Sequence, residues 1–180
     1  MYQGVIISGF PLSGKSTLAK RLSEELGLEV FSVGELFREE WRDKYPNKEE
    51  SFEEYWRGIS FEENKKMEDK AREKLSSKAM IGEFRFAISC KGLDYLFVFC
   101  VADLDIRVKR ALESDKYEGK SPEEVRQILL TRGQDELKTG KELYGEGYDY
   151  RDKKNYDLVL DMGKLTVEQG VDAIRRSLGR

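Results

Sequence analysis

This 180-residue chain predicts an α/β fold, with a mostly parallel sheet covered by helices on both faces. Three observations predict it. Short apolar runs alternate with longer segments of helical periodicity, the pattern of parallel strands joined by crossover helices. Two of the runs, "YLFVFCV" and "YDLVLD", hardly alternate between apolar and polar, so they read as buried central strands. A glycine-containing loop lies between the first apolar run and the first helical segment, the junction at which such sheets bind anions.

The elements follow in order. Strands are expected over residues 3–8, 28–32, 79–83, 95–101 and 157–161. The first helix carries Leu18, Ala19, Leu22 and Leu26 on one face, and Gly27 supplies its stop. Asp103 is the expected N-cap after the fourth strand. Ser121-Pro122-Glu123-Glu124 offers a cap, a proline at the first helical position and an acid at the third. Thr166-Val167-Glu168-Gln169 repeats the capping-box pattern before the last helix. Two charged helical stretches, 34–78 and 114–151, interrupt this rhythm. They are expected to be insertions that cover two charged ligands, the alternative being solvated surface helices.

Length and composition bound the answer. The chain suits one domain over 1–180 with a real core and is too short for two comfortable ones. A net charge of -3 makes a nucleic-acid polymer a poor default partner. No apolar run reaches spanning length and no signal peptide is visible, so no membrane partner is expected. Two cysteines, Cys90 and Cys100, make no disulfide framework, and the expected location is the cytoplasm. The absence of histidine excludes Ser–His and Cys–His catalysis and histidine metal sites. Oligomeric state is not fixed by the sequence; a monomer is slightly favoured.

The loop itself is the sharpest signal. Gly9-Phe10-Pro11-Leu12-Ser13-Gly14-Lys15-Ser16 fits G-x-x-x-x-G-K-S/T without a mismatch, and Thr17 follows. Gly9 and Gly14 let the backbone curl so that successive N–H groups point at one anion, and Gly9, Pro11, Leu12, Ser13, Gly14, Lys15, Ser16 and Thr17 are the residues expected to hold ATP. Lys15 is expected to reach the β- and γ-phosphates of ATP, and Ser16 to place its hydroxyl on Mg²⁺. The ordinary alternative is a glycine turn between strand and helix. The context of strand, loop and helix favours the phosphate loop, and with it a P-loop NTPase three-layer fold with five parallel strands.

Beyond the loop, "FSVGELFRE", "IGEFR", "ADLDIRVKR", "LYG" and "YDLVLD" follow in an order that resembles the nucleoside monophosphate kinases, and within them the archaeal cytidylate kinases. The resemblance covers most of the chain. It implies an ATP-dependent kinase that transfers the γ-phosphoryl group to a nucleoside monophosphate, CMP or dCMP first. It implies a helical acceptor-binding region at 34–78 and a lid at 114–151. Arg38 matches the arginine that clamps the acceptor phosphate, and Arg85 resembles a second one; planar bidentate donors suit phosphate oxygens. For each the alternative is an ion pair, with Glu35 in the case of Arg38. Ser32 and Gly34 are expected to help form the acceptor pocket; Trp41, Tyr55, Trp56 and Phe61 are candidates to wall it, though such aromatics are more often packing residues. Glu83, at a strand end, is the candidate for holding an Mg²⁺-bound water. Asp161 is more structural. Arg107, Arg110 and Arg132 match basic residues that approach the ATP phosphates, with an i,i+4 pair to Glu136 as the alternative for Arg132.

The chain departs from the family pattern at Ser114 and Thr139, where arginines are usual, and at Phe84 and Phe86, where small or polar residues are. Lys116, Lys138 and Lys141 stand near enough in sequence to substitute for the missing cations. Two other readings therefore stay open: a nucleotide-binding switch with weak or lost transfer, and a P-loop kinase for another small anionic acceptor.

Overall fold

The computed structural model describes residues 2–47 and 51–179. Its five strands are β1 Gly4–Gly9, β2 Val30–Ser32, β3 Ile81–Glu83, β4 Tyr95–Val101 and β5 Leu158–Asp161. They form one sheet in the order β2-β3-β1-β4-β5, every pairing parallel. The helices are α1 Lys15–Leu26, α2 Val33–Lys44, α3 Phe52–Gly58, α4 Phe61–Ser77, α5 Leu104–Leu112, α6 Pro122–Tyr144 and α7 Val167–Leu178. The expected five-stranded parallel core is present, with two adjustments. Strands β2 and β3 are only three residues long, and β5 is an edge strand rather than a central one. "YDLVLD" is continuously apolar yet mostly half-buried, because it has a hydrogen-bonded neighbour on one side only.

Three layers follow from the alternation of β1. Val5 and Ile7 face α1 and α7, meeting Leu18, Leu22, Val171 and Ile174. Ile6 faces the other way, into Phe37, Met67, Ala71 and Leu75 of α2 and α4. Fully burying each such side chain contributes about 1.5–3 kcal/mol before the entropy of ordering is subtracted. A third cluster, Val108, Tyr117, Val125 and Leu129, fastens α6 to α5.

Local signals define the helix ends. Gly27 and Gly179 adopt left-handed conformations after α1 and α7. Ser51, Ser60, Ser121 and Thr166 each close a reciprocal capping box at the start of α3, α4, α6 and α7. Asp103 stands at the N-cap of α5 as expected, but its side chain makes no capping bond. Among the described residues no helix is long and apolar enough to cross a membrane.

Candidate active site

The register aligns the strand ends that build the site. Ile7 of β1 lies opposite Glu83 of β3 and Val98 of β4, so the loop leaving β1 emerges beside the end of β3. Gly9 turns with φ +145°, and a Cβ there would stand 2.2 Å from the Cys100 carbonyl oxygen. Only glycine passes that point. Leu12 takes φ 60°, a left-handed conformation that a branched aliphatic residue adopts at a cost. Gly14, at φ 97°, caps α1, whose first amides have no intrahelical acceptor and face the loop's hollow.

Within this curl the Ser13 hydroxyl is fully buried and has no hydrogen-bond partner among the described residues. A phosphate oxygen is the acceptor that such a site lacks. The Lys15 ammonium donates to the Phe10 carbonyl at 2.8 Å, and burial lowers its pKa against the opposing pull of Glu83. The Ser16 hydroxyl donates to Glu83 Oε1 at 2.9 Å. A hydroxyl and a carboxylate side by side are hard oxygen donors, the set that suits Mg²⁺. Among the described residues there is no group of three or more His, Cys, Asp or Glu able to hold a metal. Phosphates and water would supply the remaining ligands, as they usually do for this ion.

A cleft of about 700 Å³ runs from this loop to the helical region at 34–78. Pro11, Leu12, Gly14, Lys15, Ser16 and Thr17 line one end, and Gly34, Arg38, Glu83 and Arg85 continue the wall. Arg110 and Arg132 enter from the helices beyond β4. Gly9 and Ser13 belong to the same loop but do not line the cleft. Ser32, expected in the acceptor pocket, does not line the cleft; its hydroxyl caps α2, accepting from the Glu35 amide at 3.3 Å.

The cations are held in distinct ways. Arg38 donates to Glu35 Oε2 at 2.8 Å while still facing the cleft, so the ion pair and the ligand-facing position coexist. Arg110 donates to the carbonyls of Leu12, at 3.2 Å, and Met162, at 2.6 Å, tying the phosphate loop to the turn after β5. Arg107 bonds the Ala102 carbonyl and lies over the Phe10 ring; it does not line the cleft. Arg85 and Arg132 both donate to Glu136 Oε1, at 2.8 and 2.9 Å. The Tyr150 hydroxyl donates to Glu136 Oε2 at 2.8 Å. The Arg85 guanidinium also lies 5.1 Å from the centre of the Trp56 ring, and burial pulls its pKa down.

Several sequence expectations are corrected here. Trp56 does wall the cleft, but Trp41 packs edge-on against Phe52, Tyr55 pairs with Tyr45, and Phe61 is 48% exposed. Asp161 takes the structural place read for it, accepting from the Gly163 amide and pairing with Lys164. Lys138 is 78% exposed and pairs with Glu142, and Lys141 pairs with Glu146; of the three lysines only Lys116 lines the cleft. Phe84 packs over Gly82, and Phe86 joins Tyr144, Tyr148 and Tyr150 in an aromatic cluster. The i,i+4 pair of Arg132 with Glu136, the alternative reading of that arginine, is present. Sequence reasoning missed Asn64, Glu68, Tyr150 and the burial of Glu136, since each sits in a charged or aromatic stretch where nothing local marks it.

A strand-to-helix phosphate loop, a serine–carboxylate pair beside it and converging arginines define a P-loop kinase. An AAA-domain family model matches residues 8–127. The cytidylate kinase of Methanopyrus kandleri is 30% identical over 97% of this chain and 92% of its own. The chain belongs to the nucleoside monophosphate kinase family of P-loop kinases, with the archaeal cytidylate kinases. An S-adenosylmethionine-dependent nucleotide dehydratase of Lacinutrix mariniflava is 29% identical over 94% of this chain, which spans 34% of that longer protein. Shikimate kinase from Bacteroides thetaiotaomicron, at 13% identity, shares the fold with a TM-score of 0.63 over 98% of both chains.

Proposed function

We propose that this protein transfers the γ-phosphoryl group of ATP to the phosphate of a pyrimidine nucleoside monophosphate, CMP or dCMP first, giving the diphosphate. The observation that carries the reading is one cleft with a phosphate loop at one end and Arg38 and Arg85 further along it. A second anion is what those two arginines suit. The relatives named cytidylate kinase support cytosine as the base.

The reaction asks the protein for position and positive charge rather than for a strong base, because the acceptor phosphate is already anionic. In this reading Lys15 and the loop amides hold the donor phosphates, while Arg38 and Arg85 hold the acceptor. Arg110 and Arg132 face the charge that spreads over the migrating group. Mg²⁺, held through Ser16 and Glu83, supplies charge neutralisation and alignment of the donor phosphates when bound. The regions 34–78 and 114–151 would close over acceptor and donor and exclude water.

The test is a panel of nucleoside monophosphates with ATP and Mg²⁺, scored for diphosphate product. CMP or dCMP is expected to give the highest kcat/KM. A tenfold preference for AMP would overturn the base, and no product from any nucleotide would overturn the acceptor class. Ser114 and Thr139, standing where family arginines are usual, favour a second reading: an ATP-dependent conformational switch with slow transfer.

A further inference from the structure

Glu68 is a buried carboxyl for which neither the packing nor the phosphate chemistry has a use. It sits on α4, is 5% exposed, and lines the cleft with Asn64, one turn before it. Among the described residues it has no salt-bridge partner; the Tyr144 hydroxyl donates to Oε2 at 3.3 Å. Phe37, Phe52, Trp56 and Phe86 line the same cleft. Tyr144 is itself fixed edge-on against Phe86, with ring centres 6.1 Å apart. A carboxyl taken out of water beside aromatic rings, with Arg85 acting on it only at a distance and no ion-pair contact, is costly, and neutral hydroxyls do not offset that cost.

We propose that Glu68, with Asn64 beside it, reads the edge of the acceptor's base, and that the base it selects is an aminopyrimidine. The proposal rests on the reading of this cleft as a nucleoside monophosphate site and adds the residue that chooses among such nucleotides. Flat apolar walls suit a ring. Cytosine presents an exocyclic amine next to a ring nitrogen with a lone pair. A protonated carboxyl donates its O–H to that nitrogen and accepts from the amine, making two parallel bonds. Uracil presents N–H and carbonyl groups there and has no basic nitrogen with which to share a proton.

The surroundings keep that proton available near neutrality. Burial pushes the Glu68 carboxyl up to about 7. Asp69 on its own helix pushes the same way, while the Ser89 and Tyr144 hydroxyls and the Arg85 charge favour the ionised form. Cys90 and Tyr148 are the other titratable groups facing it. On binding, one proton from solvent is held between Glu68 and the ring nitrogen, and no covalent bond of the base changes.

Calorimetry of CMP binding at pH 8, in buffers of different ionisation heat, tests this directly. Wild type is expected to take up most of one proton more than Glu68→Gln does with the same ligand. Glutamine makes both contacts without titrating, so that variant should bind CMP within about threefold of wild type. Glu68→Ala should weaken CMP roughly 5- to 100-fold, the range for losing a bidentate base contact, without loss of thermal stability. Ribose 5-phosphate, which has the phosphate ester and no base, should bind more weakly than CMP to wild type and equally to both proteins. Equal proton uptake by wild type and Glu68→Gln, or unchanged CMP affinity in Glu68→Ala, overturns the role of Glu68 and leaves the acceptor reading standing. CMP binding no tighter than ribose 5-phosphate overturns base recognition, and if neither ligand binds the acceptor reading falls as well.

Discussion

Arg85, just past the end of a core strand, and Arg132, on the long helix α6, meet on the same oxygen of Glu136. Glu136 is fully buried, so one carboxylate holds together two cations that would otherwise repel across the cleft. Glu136→Gln removes that charge and leaves both guanidiniums half-buried. It is expected to cost on the order of 3 kcal/mol of stability, as breaking a buried pair from one side does. Acceptor KM should rise and kcat fall together, with Glu136→Asp recovering part of both. Denaturant unfolding and steady-state kinetics read these effects. A variant with wild-type KM and kcat would mean that the arginines are held by other contacts.

Lys15→Ala should abolish transfer while the far-UV circular dichroism stays that of the wild type. The left-handed turns of the loop stand at Gly9, Leu12 and Gly14, so the variant loses the phosphate cation and one bond to the Phe10 carbonyl while the fold stays. Retained turnover in a folded Lys15→Ala protein would show that the chemistry lies elsewhere.

Ser114 and Thr139, which stand where family arginines are usual, predict a gain of function. A cation on the migrating group is worth on the order of a thousandfold where an arginine finger supplies it. Ser114→Arg and Thr139→Arg should raise kcat more than they tighten ATP binding. Lys116→Ala should lower kcat because Lys116 lines the cleft, whereas Lys138→Ala should be neutral because its side chain faces solvent. Single-turnover rates beside ATP affinities separate the two effects.

Stability should depend on pH through Glu68. Its folded pKa, about 7, lies above the ordinary 4.5, so between those values the folded state binds more protons than the unfolded chain. Stability from this group is therefore fully present below about pH 4.5 and is lost as pH rises through 7, by at most roughly 3 kcal/mol. Thermal unfolding of Glu68→Gln should lack that decline. Parallel pH profiles for the two proteins would show that Glu68 does not titrate in this window.

Much of the fold was legible because its signals are local. The phosphate loop, Gly27 and the capping boxes at Ser121 and Thr166 are written within a few residues, and each stands where the sequence puts it. The place of β5 at the edge was not legible, since a continuous apolar run is common to central and half-covered strands. Within the site, Lys15 and Ser16 follow from the phosphate-loop motif and Glu83 from its place at a strand end, while Arg38 and Arg85 rest on the resemblance to the kinases. The burial of Glu68 and Glu136 follows from none of these, because an acid in a charged helix looks solvent-facing until the packing partner is known. The partners that bury them, Tyr144 for one and Tyr150 with Arg85 for the other, come from other segments of the chain.

The reciprocal caps on α3, α4 and α6 carry a consequence for motion. Each of these helices has its first turn fixed by a serine and a glutamate of its own sequence, so contact with the sheet is not what defines where it starts. Lifted from the core, such a helix keeps its boundary and travels as a stiff rod. Bending is then confined to the short joints on either side, such as residues 59–60 and 118–120. A change of joint length or of a glycine such as Gly119 should alter how fast the cleft opens and leave its closed shape alone.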